Sequence, residues 1–137
     1  VIAAAVVAAS VIVFWILTQE EMWRHDRYLD RMLEWLPATI EAQSGPITIL
    51  AIGGQIEGES GSGFYCSYYA TITVSLRPSS QEKIDAIVER VEANKFDLAY
   101  PGVDADYLVV EAFGHAPYMT VFVADEDHDG LLDPRCG

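Results

Sequence analysis

The residues of this chain whose types and spacing most invite chemistry lie at its end, "DEDHDGLLDPRCG". Asp125, Asp127 and Asp129 set a carboxylate at every second position, Gly130 permits a sharp turn, the Leu131 carbonyl supplies a further oxygen, and Asp133 falls at the ninth position. Hard divalent cations take oxygen ligands of these kinds, from carboxylates, backbone carbonyls and water. The spacing therefore predicts a Ca2+ loop, with a solvated acidic tail as the alternative. The twelfth position, where such a loop would close on a bidentate carboxylate, is Cys136. Calcium would then be held weakly or with a ligand borrowed from elsewhere, Asp104 or Asp106.

Two cysteines bear on the same stretch. Cys66 and Cys136 form no CxxC pair, which argues against a zinc or redox motif and predicts one disulfide. In the chain-entropy picture, closing a loop of about 70 residues stabilises a fold by roughly 4 kcal/mol in an oxidising compartment. Such a bond would pin the acidic tail to the preceding sheet. Two buried free thiols are the other reading. The acid spacing resembles the DxDxDG loops of EF-hands and, more closely, the DxDxDGxxD loops of thrombospondin type 3 repeats, which also carry nearby cysteines. That resemblance covers about nine residues and implies Ca2+ held by Asp125, Asp127, Asp129, Leu131 and Asp133.

No catalytic constellation accompanies this loop. His25, His115 and His128 stand at no metal-ligand spacing and in no HExxH pattern. His25 beside Asp26 reads as a surface pair. A Cys66 and His115 nucleophile pair is conceivable, but Cys66 has a disulfide partner and sits in a strand pattern. The glycine-rich "GESGSG" lacks the lysine of a phosphate loop and the spacing of a dinucleotide loop or a nucleophile elbow, so it reads as a hairpin connection. The aromatic run "FYCSYY" invites a sugar or a peptide, yet at strand spacing Phe64, Cys66 and Tyr68 share one face and belong in a core. With 21 acidic against 8 basic residues the formal net charge is -13, which repels nucleic-acid phosphates.

The elements that would position these residues follow from periodicity. Residues 1–17, "VIAAAVVAASVIVFWIL", carry no charge. As a helix they span about 26 Å, near the lower limit for a bilayer core, with Trp15 near one interface. Without an initiator Met or a basic stretch before it, the segment is expected to be a retained anchor of a processed or trimmed chain, not a cleaved signal peptide. A transmembrane or assembly-core helix is thus expected over 1–18 and an amphipathic stem helix over 19–44. On the stem, Met22, Leu29, Leu33, Leu36 and Ile40 form one stripe, and Pro37 is expected to kink or end the helix. Trp23, Tyr28, Met32 and Trp35 widen the stripe beyond what a lone surface helix needs and are assigned to a partner. Glu20 and Glu21 leave the flank without excess cations, which places the following domain outside the cytoplasm.

Residues 45–137 read as one α+β domain. Strand patterns at "ITILAIGGQIE", "FYCSYYATITVSL", "YLVVEAF" and "YMTVFVA" flank a helix at "PSSQEKIDAIVERVEANK", giving a ββαββ order. A four-stranded antiparallel sheet is expected, with the helix face of Ile84, Ile87, Val88 and Val91 packed on it, Ser79 or Ser80 as cap, and a bulge at Gly53-Gly54. The chain as a whole is expected to be a non-enzymatic, single-pass membrane protein, a structural or accessory subunit of a larger membrane assembly. The alternative is a filament subunit. An apolar then amphipathic N-terminal helix, a small antiparallel sheet and a late disulfide resemble the architecture of type IV pilins and pseudopilins, which implies a cell-surface filament of identical copies. Ala5 stands where those bacterial families carry glutamate, Val1 where they carry phenylalanine, and the helix between the strand pairs is a further departure. An uncharacterised enzyme is the third reading.

Overall fold

A computed structural model describes residues 1–58, 66–76, 80–93, 105–113, 118–127 and 132–136. Its elements run α1 (Ile2–Ser44), β1 (Thr48–Gly58), β2 (Cys66–Ser75), α2 (Gln81–Ala93), β3 (Ala105–Phe113) and β4 (Tyr118–Asp127). The α+β class read from the sequence is the class of the structure.

The expected anchor and stem are one helix. α1 continues through Pro37, so the proline does not end it, and Leu36, Thr39 and Ile40 on either side are buried and hold that turn in place. The helix stops at Gly45, whose φ of 80° suits a residue without a Cβ and whose N–H donates to the Glu41 carbonyl at 2.8 Å. One apolar segment of α1 near the N-terminus is long enough to cross a membrane. Every residue from Val1 to Leu17 is exposed, Phe14 at 61% and Trp15 at 62%.

The sheet is antiparallel throughout, in the order β1-β2-β4-β3. Alternation fixes its faces: Cys66, Tyr68, Ala70, Ile72 and Val74 of β2 point inward with Met119, Val121 and Val123 of β4, while Tyr69, Thr71 and Phe122 lie on the opposite face. α1 covers β1 and β2 on the inner side, and α2 lies beside α1 and reaches β3. The buried residues Tyr28, Met32, Leu36 and Ile40 of α1 and Ile84, Ile87 and Val91 of α2 join the inward strand residues in one core. The stem is therefore not an accessory to the domain; it supplies the larger helical wall. α2 begins as expected, with Ser80 as its cap: the Ser80 Oγ accepts from Lys83 N at 3.2 Å.

The expected bulge at Gly53-Gly54 is not where the register shifts. The irregularity falls between Ile49 and Ala51, and Gly54 is glycine for another reason: a Cβ there would come within 2.8 Å of Leu29 Cδ1 and of the Tyr69 carbonyl oxygen. The missing side chain lets α1 lie close on the strand. Gly58 plays the same part for the C-terminal segment, since its Cβ would meet the Cys136 backbone at 2.7 Å.

Candidate functional site

The densest polar arrangement among the described residues is where the C-terminal turn, residues 132–136, closes over the first packed turn of α1. Buried positions on this part of the helix recur as Glu21, His25, Tyr28 and Met32, steps of four, three and four that keep one face toward the sheet. Two of the four are polar, and each takes a partner from the end of the chain. Glu21 Oε2 accepts the Leu132 backbone N–H at 2.6 Å. His25 Nδ1 lies 2.8 Å from Asp133 Oδ2, with both side chains buried. One turn on, the Tyr28 hydroxyl donates to the Asp125 carboxylate at the end of β4.

Arg135 completes the clasp. Its backbone N–H and its Nε donate to Asp133 Oδ1 at 3.0 and 2.9 Å, one terminal nitrogen donates to Asp133 Oδ2 at 2.7 Å, and the other reaches Asp26 Oδ1 at 2.6 Å. Burial acts to raise the pKa of the Asp133 carboxyl, but the hydrogen bonds from Arg135 and His25 outweigh it and leave the pKa lowered to about 2. The same hydrogen bond to Asp133 holds the Arg135 guanidinium above its ordinary value, against the opposing effect of its own desolvation. The cluster is thus a carboxylate between a guanidinium and an imidazole, the charge-assisted geometry in which buried ions are tolerated.

Beside it lies the bond between Cys66 and Cys136, which the cysteine count predicted. Cys66 Sγ is 3.2 Å from His25 Nδ1. Tyr68, two residues on in β2, walls the cluster with its ring 6.0 Å from that of His25 and 4.7 Å from that of Tyr28. Residues from the helix, the central strand and the chain end therefore converge at one point.

This placement redistributes the residues expected to act. Of the calcium set, Asp125 and Asp133 are 4% and 1% exposed and make separate internal bonds, to Tyr28 and to His25 and Arg135. Asp129 and Leu131 lie outside the described residues, as does the side chain of Asp127. Of the residues assigned to a partner, Tyr28 and Met32 are this chain's own core, at 1% and 0% exposed, so the partner face is corrected at both; Trp35 packs against that core, half-buried, and Trp23 is exposed at 55%. His25 is corrected as well. It is fully buried, and Asp26 pairs with Arg135 instead of with it. The sequence carried a signal for this, because Glu21 and His25 fall in register with Tyr28 and Met32, but a hydrophobic stripe does not count polar residues.

The opposite face of the sheet holds a second feature. Tyr69 and Phe122 stack at 5.8 Å, and with Gly53, Gln55, Glu57 and Thr71 they line a shallow open depression of about 550 Å³. The polar residues of the clasp bond to one another and to backbone, which is the work of a structural lock. Compared with family models, curated proteins and solved structures, the chain shows no match.

Proposed function

We propose that this protein is held in a membrane by the first part of α1 and serves, without catalysis of its own, as a structural or accessory subunit of a larger membrane assembly. The observation that carries this reading is the contrast within one helix: residues 1–17 are apolar and wholly exposed, while the same helix from Glu21 onward is packed. Apolar surface on that scale requires lipid or protein around it. The globular unit is read as a four-stranded ββαββ sheet with its helices on one face, placed outside the cytoplasm. The disulfide favours that side, since such bonds persist in oxidising compartments. The calcium loop is not carried into this reading, because Asp125 and Asp133 already have partners inside the core.

The test is fractionation of native cells. The chain should stay with membranes through an alkaline carbonate wash and leave them only in detergent, in a particle larger than one copy together with other polypeptides. Release of the intact chain into plain buffer as a monomer would overturn the reading. A second outcome is supported by the unbroken course of α1 through both its regions: in a filament, neighbouring copies would cover residues 1–17 in place of lipid. Negative-stain microscopy of sheared cell-surface material distinguishes it, because filaments containing this chain would replace the membrane subunit with the filament subunit.

A further inference from the structure

His25, Cys66, Asp133 and Cys136 each offer one donor atom, and all four atoms lie within 4.8 Å of one another. All four residues are buried, at 1% exposure or less. They come from three separated parts of the chain: helix α1, strand β2 and the C-terminal turn. Paired as a disulfide, the two sulfurs are unavailable. We propose that when this disulfide is reduced the same four side chains form a closed, structural site for a thiolate-preferring divalent cation of the zinc type.

The donor set selects the metal. Two thiolates, an imidazole and a carboxylate match the four-coordinate tetrahedral sites of Zn2+, whereas Ca2+ and Mg2+ take oxygen ligands in larger number. Bond lengths of about 2.0 to 2.3 Å in such a site put neighbouring donor atoms roughly 3 to 4 Å apart. His25 Nδ1 is already 3.2 Å from Cys66 Sγ and 2.8 Å from Asp133 Oδ2, and no two donor atoms are more than 4.8 Å apart, so side-chain shifts of about 1 Å bring the set to those lengths. Breaking the sulfur–sulfur bond lets the two sulfurs move apart to that spacing. Charge balances too, because two thiolates and one carboxylate are neutralised by one divalent cation and the Arg135 guanidinium. Arg135 keeps its bonds from N and Nε to Asp133 Oδ1 and gives up the one from its terminal nitrogen to Oδ2, which passes to the metal, so that the guanidinium becomes an outer partner of the kind that orients ligating carboxylates.

The exchange is balanced as follows. A dithiol reductant gives two electrons and two protons to the Cys66–Cys136 bond and becomes a disulfide itself, leaving two thiols. The cation then displaces both thiol protons into water, Asp133 binds as a carboxylate, and His25 changes tautomer: Nδ1, which donated to Asp133, loses its proton to water while Nε2 takes one from water, and Nδ1 binds the ion. Reoxidation of the thiols by a disulfide reverses the sequence and releases the ion. The clasp between the stem and the chain end thus has two chemical forms, one covalent and one coordinate, and holds in either redox condition.

Cobalt reports such a site directly. The full chain in detergent micelles, reduced with a phosphine under anaerobic conditions, should bind one equivalent of Co2+, with thiolate-to-cobalt absorption in the near ultraviolet and the intense visible bands of a tetrahedral ion. Zn2+ should displace it, and the oxidised chain should show neither band. His25→Gln and Cys66→Ser should each weaken the binding at least about tenfold. If reduction alone loosens the fold, metal binding should restore the native circular dichroism, because site and fold form together. Absence of the bands in the reduced chain, folded or not, overturns the proposal. So do bands that His25→Gln leaves unchanged, since they would come from unordered thiols.

Discussion

The two regions of α1 belong to one unbroken helix and meet opposite fates. From Val1 to Leu17 the side chains are uncharged, apolar in all but Ser10, and none is buried; from Glu21 to Ile40 the helix is largely charged outside and buries a narrow stripe against the sheet. The more hydrophobic region is the one left uncovered. Burial is therefore set not by how apolar a segment is but by whether its period matches an available surface. A stripe can be covered by one sheet, whereas a helix apolar all round needs an environment on all sides. The clasp sits just past the boundary, where Glu21 and His25 take partners from the chain end, and fixes where the packed region begins.

This comparison can be broken at its join, within its packed half, or in its exposed half. The largest effect should come from the join. In metal-free buffer, Cys136→Ser should lower the unfolding free energy by about 4 kcal/mol, read by denaturant melts of the globular unit, because the bond closes a loop of 70 residues. A loss well below 1 kcal/mol would mean that the polar contacts alone hold the turn. Within the packed half, Leu36→Ala removes a fully buried side chain and should cost about 3 kcal/mol, with membrane association unchanged.

The exposed half should respond in the reverse sense. Val11→Asp puts a charge at mid-segment, which insertion scales place at about 3 kcal/mol against the membrane. It should shift the chain toward the soluble or aggregated fraction while leaving the melt of the globular unit unmoved. If both measurements change together for either variant, the two regions are not independent and the comparison fails.

A smaller effect sharpens the join. Asp133 has a folded pKa of about 2 against roughly 3.9 in an unfolded chain. A carboxyl with a depressed folded pKa contributes stability that is complete above the unfolded value and is lost as the pH falls through the folded one. About 2 kcal/mol should therefore disappear between about pH 5 and pH 1. Asp133→Asn should flatten that part of the profile. Calcium should have the smallest effect. With Asp125 and Asp133 occupied, millimolar Ca2+ should leave the melting midpoint of the oxidised chain in place, and a rise that Asp127→Ala abolishes would restore the loop reading.

Much of the architecture was legible because it depends on local period. Ile72 and Val74 alternate with Thr71 and Thr73 and lie inward as that spacing requires. Ser80 caps α2 as its place before a charged, periodic segment suggested. The cluster was less legible. Tyr28 meets Asp125 across 97 positions of sequence, His25 meets Asp133 across 108, and Glu21 meets Leu132 across 111. The spacing of Asp125, Asp127, Asp129 and Asp133 is the same whether their carboxylates converge on an ion or turn separately toward a helix.

By itself the sequence determined the run of charge-free residues and the strand and helix periods, since each depends on near neighbours, and it left its two cysteines with one possible pairing or none. Only the tertiary structure decided that the stem is part of the core, that Gly54 and Gly58 exist to admit a helix and a chain end, and that His25 is interior. The physical reason is that a buried polar residue is tolerated only by a specific partner, and that partner is chosen by the fold, not by the residues beside it.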